Sequence, residues 1–190
     1  LLVSSQAIFG NLFPYLSGMI YNELLFYTST IKNWKPIIRD FQLEQAITNS
    51  LSYLHKIGCI KVYGFVIMPN HIHLIWECKA RNGRESPVSS FKKYTSKEFG
   101  KALKFEPGLL KEFEVSWKCR AHNFWMIHPH CLILKKSTTI IQKLTYMHEN
   151  PMRGKWSLVN DPTKYLYSSA KFYATGINDF DFLHDYRDWC

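Results

Sequence analysis

The stretch VIMPNHIHLIWE, residues 66–77, places His71 and His73 one residue apart. On a strand, side chains at i and i+2 share a face. The two imidazoles could then serve one ion, while Ile72 and Leu74 turn the opposite way into a core. Alone, such a pair more often marks histidines that hydrogen-bond on a half-buried strand. A second group comes from residues 138–149, read as a helix advancing about 100° per residue. Ile140, Ile141, Leu144 and Met147 fall in one arc and are expected to face the core. Tyr146 lies about 160° round from Leu144, with Gln142 and Asn150 four residues to either side. That core stripe does not explain an aromatic residue on the polar face, although most of the 11 tyrosines must be packing residues.

Together these residue types suit phosphodiester chemistry. A divalent ion held by His71, His73 and an amide oxygen would keep positions open for phosphate oxygens and act as a Lewis acid. A phenol can attack an activated phosphodiester and become a covalent phosphotyrosine. Phenols ionise at about 10, so phenolate leaves far more readily than an alkoxide. A free 3′-hydroxyl can therefore reverse the linkage and rejoin strands without an external energy source. The chemistry is strand transfer rather than simple hydrolysis.

Charge supports an anionic partner. The 190-residue chain carries a formal +9 with a pI near 9.3. Between Lys79 and Lys104 there are eight lysines and arginines against only Glu85 and Glu98, a concentration that favours a binding surface over a merely solvated face. Lys92, Lys93, Lys97 and Lys101 are the expected phosphate neutralisers. Arg120 and Arg153 are nearer the tyrosine in sequence, and Trp125 is a candidate for stacking an unpaired base. Such contacts would make affinity fall steeply with salt. The five cysteines are odd in number and lack a CxxC pair, which suits a reduced cytoplasmic protein with free thiols. Cys119, His122, His128, His130 and Cys131 invite a zinc reading, but their spacing matches no usual finger or ribbon. We read them as packing and hydrogen-bonding residues.

The elements that must position these groups follow from pattern. ELLFYTSTI (23–31) reads as a strand and DFQLEQAITNSLSYLHKIG as a helix capped by Asp40 and closed by Gly58. CIKVYGFVIM (59–68) and HIHLIWEC (71–78) are strands joined by a Pro69-Asn70 turn. A basic helix spans about 88–103, with Lys93, Lys97 and Lys101 on one face. FWMIHPHCLIL (124–134) is a strand interrupted at Pro129, followed by the tyrosine helix with Ser137 or Thr138 as cap. Pro151 disfavours helical geometry at Asn150. A short helix and an acidic, aromatic tail end the chain. The order β-α-β-β-α-β-α suits an α+β fold, an antiparallel sheet with helices packed on one side, ferredoxin-like in character. Residues 19–190 are expected to form one domain. Residues 1–18 carry no positive segment ahead of their apolar run and are broken by Pro14 and two glycines. They are a poor signal peptide, and are expected to be an upstream extension or a fragment edge. No apolar run is long enough for a membrane helix.

The blocks GFVIMPNHIHLIW and QKLTYMHENPMRGKW, with FYTSTIKNW before them and YLYSSAKFYATGINDFDFL after, resemble the HUH-type single-tyrosine transposases, specifically the REP-associated branch. The resemblance covers nearly all of 20–185. It implies a ferredoxin-like HUH endonuclease fold acting on single-stranded DNA, often near hairpins, with Mg²⁺ or Mn²⁺. It implies His71 and His73 as metal ligands, Tyr146 as nucleophile, and a 5′-phosphotyrosine with a free 3′-hydroxyl as the intermediate. Asn150 matches the position of the third ligand, a glutamine in related transposases; His148 or Glu149 could substitute there. The segment CRAHNFWMIHPHCLIL departs from the family pattern, and residues 1–18 have no counterpart in it. A monomer and a homodimer are both compatible with the sequence. Two other readings stay open: a non-catalytic single-stranded nucleic-acid-binding module of the same fold, and a replication initiator or relaxase, which so short a chain without a helicase disfavours.

Overall fold

Aromatic and β-branched residues dominate the first strand, β1 (Leu24–Thr30). The computed structural model describes residues 20–117 and 120–189. It continues with β2 (Ile60–Met68), β3 (His71–Cys78), β4 (Glu114–Trp117), β5 (Arg120–His122) and β6 (His130–Ile133). Four strands form one antiparallel sheet in the order β2-β3-β1-β6, and β4 and β5 pair separately. That separate pair falls in a stretch whose sequence shows no clear period. The break foreseen at Pro129 is real, since β6 begins at the next residue.

The helices are α1 (Ile37–Asp40), α2 (Glu44–Lys56), α3 (Pro87–Ala102), α4 (Pro107–Lys111), α5 (Ser137–Glu149) and α6 (Ala170–Thr175). Asp40 does not cap the second helix. It ends α1, and Gln42 at φ 53 turns the chain before Leu43 starts α2. Gly58, at φ 72, closes α2 as its missing Cβ allows. Ser86 caps α3 by accepting from the Ser89 amide, with Pro87 in the first turn. Neither Ser137 nor Thr138 caps α5. The carbonyl of Lys136 takes that role, accepting from the amides of Thr139 and Ile140.

Helices cover both faces of the sheet, not one. Leu25, Tyr27, Ile72, Leu74 and Trp76 pack with Ile47 and Leu51 of α2 and Phe91 and Phe99 of α3. Leu24, Phe26, Val66, Met68 and Ile75 pack instead with Ile140, Leu144 and Met147 of α5. Near-continuous burial along β2 and β3 is the physical sign of a sheet covered on both sides. The apolar arc of α5 is narrower than foreseen, because Ile141 is 47% exposed. The expectation for residues 1–18 lies outside the described residues. No helix among the described residues is long and apolar enough to cross a membrane.

The register of β2 against β3 shifts between Val62 and Gly64, and α5 crosses closely there. A Cβ built on Gly64 would stand 2.6 Å from Leu144 Cδ2. Gly64→Ala is therefore expected to lift α5 off the sheet and destabilise the protein by about 1–3 kcal/mol, the usual cost of overpacking. Urea denaturation would show this as a lower midpoint; an unchanged midpoint would mean the contact yields freely.

Candidate active site

His71 and His73 lie on the α5 side of β3, with Ile72 and Leu74 buried on the other, as alternation requires. Their rings are 4.9 Å apart, centre to centre, at 78°. Each has its Nδ1 committed. The Nδ1 of His71 is 2.7 Å from Asn70 Oδ1. The Asn70 amide nitrogen donates to the Trp34 carbonyl at 2.9 Å, which leaves Oδ1 as the acceptor. His71 therefore carries its proton on Nδ1 and turns a lone pair outward on Nε2. His73 Nδ1 pairs with Thr28 Oγ1 at 2.7 Å across the β1–β3 register. Partners of this kind fix the tautomer of a ligating imidazole. Burial holds the pKa of His71 down to about 4. Burial, reinforced by the charges of His71, His130 and Lys143, holds His73 at about 3. Both rings are neutral donors at ordinary pH.

Tyr146 reaches this pair. Its ring meets the His73 ring edge-on, with centres 5.6 Å apart, while the residue stays 43% exposed. Phe26 stacks on His73 at 5.4 Å and meets Tyr146 at 6.3 Å. Because α5 buries Ile140, Leu144 and Met147 against the sheet, its tyrosine side is turned to the strand ends that carry the histidines. Tyr146 and both histidines thus belong to one site within one chain.

Asn150 keeps right-handed helical geometry (φ −53°, ψ −41°) despite the proline that follows. Pro151 fits because it stands in the first turn of a 3-10 segment, Asn150–Met152, where no amide hydrogen is needed. The side-chain nitrogen of Asn150 is buried and has no hydrogen-bond partner. The two substitutes considered for it are engaged elsewhere. His148 bonds Ser169 Oγ through Nε2 at 2.8 Å and packs by Tyr173; Glu149 pairs with Arg153. Gln142 is exposed on the helix. Among the described residues no three His, Cys, Asp or Glu side chains gather into a metal cluster, and Cys119 of the zinc reading lies outside them.

The expected DNA contacts are not gathered around the tyrosine. Lys92, Lys93, Lys97 and Lys101 sit on α3, which packs on the sheet face away from α5. Lys92 donates to the Met126 carbonyl, Lys93 pairs with Glu85 and Lys101 with Glu98, while Lys97 is exposed. Trp125 is a core residue rather than a stacking platform. It is 1% exposed, donates its indole N–H to Thr95 Oγ1, and packs between Phe91 and Phe99. Arg153 follows the tyrosine helix and remains exposed beside Glu149. Arg120 lies in β5, and the contact foreseen for its side chain falls outside the described part. The sequence reading missed Thr28 and Phe26, which buttress His73. It also missed Asn70, which orients His71, and Lys143, one turn before Tyr146. No local signal singles out Thr28, since Thr28, Ser29 and Thr30 stand in a row in FYTSTIKNW.

Residues 27–120 match the family described as "Transposase IS200 like". Over that stretch, just under half of the 190 residues, the chain is similar to the IS200-like transposases. The matched stretch contains the histidine pair and α3 and ends before α5, so it does not reach Tyr146 or Asn150. No curated protein matches the sequence. Among solved structures, the chain is similar to a REP-associated tyrosine transposase bound to a REP hairpin. They share 17% identity with a TM-score of 0.58, over 92% of this chain and 93% of the other. It is also similar to a protein from Deinococcus radiodurans R1 assigned as a transposase. There the values are 17% identity and a TM-score of 0.41, over 72% and 97% of the two chains. At these identities the likeness to the first structure shows a shared fold.

Three buried histidines give stability a defined pH dependence. His71 and His148 are held at about 4 and His73 at about 3 by burial, against 6.5 in the unfolded chain. Between these values the unfolded chain binds protons that the native state refuses, so stability rises with pH across that window. It is fully present above about 6.5 and declines as pH falls toward 4, by at most about 1.4 kcal/mol per unit for each histidine. Urea midpoints of the metal-free protein should follow this course, with a shallower decline in His148→Gln. A flat profile would show that these rings are not buried neutral.

Proposed function

We propose that the protein is a single-stranded DNA endonuclease and strand transferase of the REP-associated tyrosine branch, acting at hairpin-containing sites. The observation that carries this reading is the Tyr146 ring set against His73 of its own chain, 5.6 Å away. Similarity to a transposase family over residues 27–120 and the fold shared with a hairpin-bound protein support it.

His71 and His73 would hold Mg²⁺ or Mn²⁺ through Nε2, with the Asn150 amide as third ligand. The residues fit such an ion: both imidazoles are neutral with Nδ1 occupied, and Asn150 keeps a buried, unpartnered amide that can rotate to offer oxygen. Imidazole with amide oxygen does not choose between the two ions. When bound, the ion supplies Lewis-acid polarisation of the scissile phosphate. Tyr146 Oη attacks phosphorus and the bond to the 3′ oxygen breaks. The products are a 5′-phosphotyrosine and a free 3′-hydroxyl, which in the reverse sense displaces the phenol and joins strands. Thr28 and Asn70 keep the two imidazoles in register during these steps, and Phe26 excludes water from one side of His73.

Incubating the protein with labelled single-stranded hairpin DNA and Mg²⁺ or Mn²⁺ should yield an adduct that survives denaturation. The adduct should vanish in Tyr146→Phe and with chelator, and should fall at least about 10²-fold in His73→Ala. Binding without any adduct across a broad set of hairpins would instead identify a non-catalytic single-strand-binding module.

A further inference from the structure

We propose that Lys143 is the cation that engages the scissile phosphate beside Tyr146, an inference that rests on the strand-transfer reading above. Lys143 precedes Tyr146 by three residues on α5, so the two side chains are neighbours on the helix surface. Its Nζ stands 5.7 Å from the centre of the Tyr146 ring and 5.1 Å from that of Phe26. Phe26 stacks on His73, so the ammonium belongs to the same cluster as the nucleophile and a histidine of the pair. Aromatic faces attract a cation and hold it in place. The core stripe of α5 does not require a lysine here, since Ile140, Leu144 and Met147 make the packing. The lysines of α3 cannot take this role, because α3 lies on the other face of the sheet.

The chemistry calls for such a charge. As the bond from Tyr146 Oη to phosphorus forms and the bond to the 3′ oxygen breaks, negative charge accumulates on the phosphoryl oxygens. The phenolic proton passes to solvent and the departing 3′ oxygen takes one from solvent, so the exchange balances without oxidant or reductant. An ammonium already fixed beside the nucleophile stabilises that charge more in the transition state than in the ground state. Lysine suits the task as a compact point charge with three donors.

Lys143→Met and Lys143→Arg would be compared with the unmodified sequence in the rate of adduct formation. The substrates would carry either an ordinary phosphate or a neutral methylphosphonate at the cleaved position. On ordinary DNA the methionine variant should be slower by about 10²-fold, and the arginine variant by less than about tenfold. On methylphosphonate the methionine defect should largely disappear, because the charge that Lys143 answers is gone; a merely structural loss would persist on both backbones. Normal rates in Lys143→Met, or equal losses on both substrates, would overturn the assignment. If the unmodified protein forms no adduct at all, the strand-transfer reading fails on its own account. Lys143 is then judged by single-strand binding to the Tyr146→Phe protein. Adding Lys143→Met should shallow the plot of log affinity against log salt by about 0.7, and an unchanged slope would refute the contact.

Discussion

The site depends on how closely α5 lies on the sheet. Leu144 and Met147 settle over Gly64, where any Cβ would meet Leu144 at 2.6 Å. Strand β2 shifts register at that point, and the shift with the missing side chain makes a seat for the helix. Once Leu144 is seated, the pitch of the helix decides the rest. Met147 turns inward, Tyr146 turns toward His73, and Asn150 follows one turn later. A glycine on β2 thus sets how Tyr146 approaches His73.

The sheet supplies the other half of the site through its central strand. Thr28 of β1 stands opposite His73 on β3 and opposite His130 on β6. Its hydroxyl answers His73 Nδ1, which leaves the outer nitrogen of that ring free. A central strand, paired along both edges, moves less than an edge strand or loop, so groups mounted on it hold their orientation. Asn70 does the equivalent for His71 from the turn, and its own amide is tied to Trp34. Both imidazoles are thereby oriented by groups whose positions are themselves fixed.

Much of this was legible in the residues. Alternation about Ile72 put both histidines on one face, because a strand has period two. The helical stripe put Tyr146 outside the core. What escaped reading depended on contacts remote in sequence. Trp125 looks like an exposed aromatic in a polar segment, yet Thr95, thirty residues earlier, receives its indole N–H in a buried pocket. Asp40 has the chemistry of a cap, but Ile37 and Ile38 are drawn into the core and create a separate helical turn first. The pre-proline bias at Asn150 was a local preference, outweighed by a 3-10 turn that needs no amide from Pro151. The charge run of α3 was read correctly as a helix. Its distance from the tyrosine could not be read, because which face of a sheet a helix covers is set by the crossover and not by the helix's own pattern.

On the strand-transfer proposal, the electrostatics of the site suit an anion. Burial makes His71 and His73 neutral, which removes the repulsion that two imidazolium rings would exert on each other, on Lys143 and on the proposed divalent ion. An ammonium near a metal ion is unfavourable unless negative charge lies between them. On that proposal a backbone phosphate would supply such charge between His71 and His73, Lys143 and Tyr146. On this view the free protein binds its ion more weakly than the DNA complex does, because the polyanion relieves the cation–cation repulsion that the arrangement carries. Linkage then requires the ion to tighten DNA binding by the same factor. On the strand-transfer proposal, assembly of metal and substrate would be mutual, and Tyr146 would meet a phosphate only with both in place.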